Sequence, residues 1–175
     1  MGDAAARVGA PEAAVAALDR FFDTFYRQRP VTATFTGLHA HDDRLPDWSP
    51  TGLDAEADAL QAVRRQLEAA GRVPDQAVTA FPGDVDLALA DATLEIALSE
   101  HASGHFVHRN PTLWSGEAIF GVLSLVTRDF APLAVRLAHA RQRLEAVPGF
   151  LAAAANVLRE APDDWRERAV REARA

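Results

Sequence analysis

Cysteine is absent from the 175 residues, which excludes disulfides, thiolate metal sites and a cysteine nucleophile together. Lysine is absent as well, so every basic residue other than histidine is arginine. Eighteen arginines are scattered among 25 carboxylates, for a net charge of −7. No basic face for a phosphate backbone can be assembled from that balance, and nucleic acid is excluded as a partner. Strand-forming runs are nearly missing. The longest, Val31–Thr36, begins beside Pro30, a natural first residue of a helix. Neither a Walker-type glycine loop, a G-x-G-x-x-G nor a G-x-S-x-G elbow occurs, so Ser115 is no hydrolase nucleophile. The first 18 residues are interrupted by Asp3, Arg7, Pro11 and Glu12 and hold no apolar signal core. A soluble, cytoplasmic chain with no membrane partner is expected.

What is present is alanine and leucine at helical spacing. Hydrophobic residues make up 49% of the chain, enough for a packed interior. The pattern predicts an all-α fold, a bundle or superhelical array of about six to seven helices in one domain spanning 1–175. Val15, Leu18, Phe21, Phe22 and Phe25 mark one face of a helix from Pro11 to Gln28. Pro30 opens a short helix that Gly37 ends, and a polar loop follows from Leu38 to Pro50. Thr51 with Asp54 predicts a capping box for a helix buried through Leu53, Ala57, Leu60, Val63 and Leu67, with Gly71 closing it.

After a loop from Pro74 to Gly83, Asp84 predicts the cap of a helix reaching Ser103, with Leu87, Leu94, Ala97, Leu98 and His101 inward. Ser115 predicts the cap of a helix over 116–126 that is apolar on nearly every side and therefore expected to be central and surrounded. Asp129 and Pro132 begin another carrying Leu133, Leu137, Leu144 and Val147. Pro148 is expected to break it from Phe150–Arg159. Pro162 and Asp163 start the last helix, and its amphipathic pattern still runs at Ala175, as in a segment of a longer chain.

Three constellations could carry chemistry. In Glu100–His108, His101 and His105 stand at i and i+4 with His108 nearby, a spacing that can chelate a divalent metal. Ala102 stands where the catalytic version of that motif has glutamate, and Gly104 should end the helix between the two histidines. A helix terminus with histidines at its negative end explains the pattern better. The loop from His39 to Trp48 gathers His39, Asp42, Asp43, Arg44 and Trp48, groups able to grip a charged or peptidic ligand. The simpler reading is a hydrogen-bonded loop with an aspartate capping amides and Trp48 plugging the core edge. Arg109 and Asn110 precede Pro111, a turn signal that could also line a cleft.

The order of several short motifs supports a resemblance. Phe22-Asp23-Thr24-Phe25-Tyr26 leads to Pro30-Val31-Thr32-Ala33-Thr34, Gly37-Leu38-His39 and Asp42-Asp43-Arg44-Leu45-Pro46-Asp47. Asn110-Pro111, Phe130-Ala131-Pro132-Leu133 and the run Arg143 to Leu151 follow. Together they resemble the N-terminal part of the bacterial domain of unknown function 885 family. Full-length members resemble zinc-dependent peptidases of the gluzincin type, with His-Glu-x-x-His in the C-terminal half. That motif does not occur here, so the resemblance assigns no zinc ligand or catalytic residue to this chain. It implies a helical scaffold or cleft-covering region, inactive alone, whose partners are a C-terminal catalytic region and a peptide substrate. The alternative is a self-contained helical bundle acting as a binding module, with a homodimer possible.

Overall fold

The computed structural model describes residues 12–69 and 82–174 and is all-α. Eight helical segments and no strand occur among the described residues: α1 Glu12–Gln28, α2 Pro30–Thr36, α3 Pro50–Ala69, α4 Pro82–Ser103, α5 Phe106–Arg109, α6 Pro111–Thr127, α7 Leu133–Val157 and α8 Asp163–Arg174. The proposed closing role of Gly71 and most of the Pro74–Gly83 loop lie outside the described residues, as does the side chain of Asp84.

The chain divides into two compact units, one built from residues 1–25 and 56–102, the other from 26–55 and 103–175. In the first, Ala17, Leu18 and Phe21 of α1 meet Leu60, Val63 and Leu67 of α3 and Ala90 and Leu94 of α4. Phe21 stacks on Phe25 with centroids 5.6 Å apart. The expected α3 stripe from Leu53 to Leu67 is buried throughout, whereas Phe22 of α1 is exposed.

In the second unit, Val31, Leu45, Leu53, Trp114, Ala118, Phe150, Ala154 and Val157 form the core. Trp48, Trp114 and Phe150 make an aromatic triangle with centroid distances of 5.0–5.3 Å. Trp114 also donates from its indole nitrogen to the Val107 carbonyl at 2.8 Å, so its one polar atom is satisfied inside.

The caps predicted at Thr51 and Ser115 move. α3 begins at Pro50, and Ser49 is its N-cap: Ser49 Oγ accepts from the Gly52 amide at 3.1 Å while Asp47 Oδ1 accepts from Ser49 N–H. α6 begins at Pro111 behind Asn110, whose Oδ1 accepts from Thr112 N–H at 3.0 Å. Ser115 is one turn inside that helix, its hydroxyl bonded back to the Thr112 carbonyl. In both cases Pro at the first helical position is the stronger signal.

The expectation for α6 fails on its outer side. Trp114, Ala118, Gly121, Ser124 and Leu125 are buried, but Ile119, Phe120, Leu123 and Val126 are exposed. α7 departs twice. It runs unbroken through Pro148, and its buried stripe is Arg136, Ala140, Arg143, Phe150, Ala154 and Val157, while Leu133, Leu137 and Leu144 face outward. The alternating three- and four-residue spacing of that stripe keeps one face against α6 on both sides of Pro148. Packing thus carries the helix past a residue that removes a single backbone bond.

α4 tests this two-sidedness most simply, since Leu94 is fully buried and Leu89 is 64% exposed in the same helix. Leu94→Ala is expected to cost about 2–5 kcal/mol in urea unfolding and Leu89→Ala under about 0.5. Equal losses would mean that both faces of α4 are covered.

Candidate functional site

The polar loop 38–49 is built from below by α7. Gly37, at φ 94°, ends α2 in the left-handed conformation, and Leu38 N–H returns to the Ala33 carbonyl at 2.8 Å. The turn brings Asp42 over Thr34, both almost fully buried. Beneath them lies the guanidinium of Arg143, fully buried. Its Nη1 donates to the Gly121 carbonyl at 2.7 Å, and its Nη2 donates to Thr34 Oγ1 at 2.7 Å and to the carbonyls of Pro30 and His41 at 3.2 Å. Thr34 Oγ1 stands 2.5 Å from Asp42 Oδ1, and that carboxylate oxygen is 4.0 Å from Arg143 Nη2. One side chain therefore ties α2, the loop, α6 and α7 together.

Gly121 makes the approach possible. A Cβ there would stand 2.9 Å from Leu45 Cδ2 and 3.0 Å from Val31 Cγ2, too close for either to remain in place. Burial pulls the Arg143 pKa down, opposed by Asp42, Glu117 and Asp43; the guanidinium stays charged because its ordinary value is so high.

Above this hub, His39 Nδ1 donates to Asp42 Oδ2 at 2.9 Å and the ring stacks flat on Phe130 at 3.8 Å. A carboxylate holding Nδ1–H fixes the tautomer and leaves Nε2 as the outer nitrogen. Asp43 and Arg44 are exposed, and Arg44 Nη2 lies 3.0 Å from His41 Nδ1. Trp48 is half-buried in the aromatic triangle. Of the loop residues picked out from the sequence, Asp42 faces inward, and His39, Asp43 and Arg44 reach solvent. Arg109 and Asn110 sit at the α5–α6 junction. Asn110 is committed to its cap, and Arg109 has a buried Nε without a hydrogen-bond partner.

The histidine cluster is dispersed in role. His101 lies in the last turn of α4, His105 precedes α5 beside Phe106, and His108 Nδ1 stands 3.3 Å from the Val157 carbonyl. No group of three or more histidine, aspartate or glutamate side chains suited to a metal ion occurs among the described residues.

Sequence reasoning missed the two arginines on which the site depends. Arg136 caps the end of α6, donating to the carbonyls of Val126, Arg128 and Ala131 and pairing with Asp129 at 2.8 Å. Asp129 thus serves α6 and does not start α7, whose N-cap is Pro132. Glu117 was missed too: burial pushes its carboxyl up to about 7 against the pull of Arg143 and Arg29.

The profile of the family described as "Bacterial protein of unknown function (DUF885)" matches residues 30–175. The chain belongs to this family. Among curated proteins none matches it. A solved structure described as a "putative lipoprotein of unknown function from Shewanella oneidensis" shares the fold, with a TM-score of 0.78 and 21% identity. The match covers 92% of this DUF885 chain and only 28% of the other. Among the described residues no helix is long and apolar enough to cross a membrane.

Two outcomes are expected of the hub. Asp42→Ala removes the carboxylate that lies 4.0 Å from the buried Arg143 guanidinium and is expected to cost about 3–5 kcal/mol in chemical denaturation. Arg143→Lys, which cannot reach several acceptors at once, should fall in the same range. A loss under about 1 kcal/mol in both would refute the hub's structural role. For Glu117, the folded protein holds the proton more tightly than the unfolded chain. The associated stability is fully present below about pH 4.5 and is lost as pH rises through about 7, by on the order of 3 kcal/mol. Glu117→Gln should match the parent near pH 4 and exceed it at pH 8. Parallel pH profiles would contradict the assignment.

Proposed function

We propose that this chain is a non-catalytic helical scaffold of a larger peptidase-like protein, presenting the 38–49 loop to a peptide substrate. The observation that carries the reading is the asymmetry of the loop. Its inner side is locked to the Arg143 hub, and its outer side offers an imidazole nitrogen, a carboxylate and a guanidinium from His39, Asp43 and Arg44. A loop held by buried hydrogen bonds loses little entropy when its outer groups bind a ligand, which suits it to positioning charged ends or polar backbone. His39 would accept from a substrate N–H, Arg44 would hold a carboxylate, and Asp43 an ammonium. Hydrolysis, with zinc and its bound water, belongs in this reading to chain outside the segment.

The alternative of a self-contained binding module fits less well with the apolar residues left exposed on α6 and α7. The scaffold reading predicts that the 175-residue chain hydrolyses no peptide in a mixed substrate library, with or without added zinc. In a longer DUF885 chain that does hydrolyse peptide, alanine at the positions matching Asp43 and Arg44 should raise KM about 10-fold and leave kcat within about twofold. Hydrolysis by the segment alone, or an unchanged KM, would count against it.

A further inference from the structure

We infer that the outward face of α6, extended by Phe35, is the seat of a body supplied by the rest of a longer DUF885 chain. This rests on the scaffold reading only in placing the segment within a larger protein. α6 contains one ionisable residue in 17, Glu117, and that group lies toward the buried side. Its outer stripe, Ile119, Leu123 and Val126 with Phe120 beside them, is 37–48% exposed. On a helical wheel this stripe stands opposite Trp114, Ala118, Gly121 and Leu125. A face over two turns with no charge is the pattern of a helix enclosed on both sides.

Phe35 of α2 continues the surface, its ring 5.5 Å from that of Phe120. Arg128 borders it, with its guanidinium 4.6 Å from the Phe35 centroid and Nη1 donating to the Phe35 carbonyl. On α7 a second apolar ridge is left open, Leu137, Leu144 and Leu151 recurring every seven residues. Seven-residue repeats and three- and four-residue steps are the ridges into which other helices pack.

The choice of occupant follows from the solved relative of the fold. In that chain the shared fold is 28% of the length, so nearly three quarters of it lies outside the match. A lipid surface suits the face less, because an interfacial helix carries several basic groups on its polar side and α6 carries none.

The test compares one set of substitutions in two chains. In the 175-residue protein, Ile119→Gln, Leu123→Gln and Val126→Gln combined should leave Tm within about 2 °C. The parent should sediment as a monomer and leave vesicles of phosphatidylcholine and phosphatidylglycerol unbound. In the full Shewanella chain, glutamine at the positions superposing on these three should lower Tm by more than about 5 °C. Four results would overturn the proposal. An equal Tm loss in the short chain makes the residues core. A saturable dimer abolished by the substitutions makes a second copy the occupant. Vesicle binding abolished by them makes the occupant lipid. An unchanged Tm in the long chain leaves the face uncovered. All are read from stability and association, so they stand or fall apart from the KM test of substrate binding.

Discussion

Arg143 is a cation with no access to water, and the geometry of the second unit follows from satisfying its two Nη nitrogens, while its buried Nε has no hydrogen-bond partner. Four protein oxygens must converge on one guanidinium, and they come from Pro30, Thr34, His41 and Gly121. Each acceptor fixes its own element: two hold α2, one the following loop, one α6. Asp42 supplies the opposing charge and is itself held by Thr34 and His39. A buried ion pair of this kind contributes little net stability relative to an apolar replacement, but breaking it is costly. Its contribution here is to specify one loop conformation.

Arg136 performs the same task at the other end of α6. The last carbonyls of a helix have no internal partners, and this side chain gathers several of them at once. Seven residues apart on one face of α7, the two arginines grip α6 near its middle and at its C-terminus. The apolar contact of Phe150 with Trp114 between these helices is placed by that register.

Much of the fold was legible where the pattern had one apolar face. The α3 stripe, the Gly37 cap and the two ends of α2 follow from spacing and backbone preference alone. α6 and α7 were misjudged for different reasons. α6 is apolar on nearly every side, so its spacing does not say which face is buried. On α7, Leu133, Leu137 and Leu144 form a different stripe from the buried residues, and a reading that puts leucine inside picks the wrong one. The stripe containing Arg136 and Arg143 has equally regular spacing, but arginine is a poor mark of burial until its acceptors are known. Those acceptors are mostly backbone carbonyls and a hydroxyl, groups that no residue pattern announces. His39 and Asp42 were both picked out in one loop from the sequence, without being paired with each other. That one turns in and the other out depended on Arg143, a hundred residues away.

Gly121 ties these observations to the history of the sequence. Its missing side chain is the gap through which Leu45 and Val31 reach α6, and its carbonyl accepts from the buried cation at 2.7 Å. Any ancestor with a larger residue at 121 had to shorten the side chains at 31 and 45 or open the helix contact. These three positions are therefore expected to vary as a set across relatives, one contracting as another grows, while the outer residues of α6 drift on a different schedule set by what covers them.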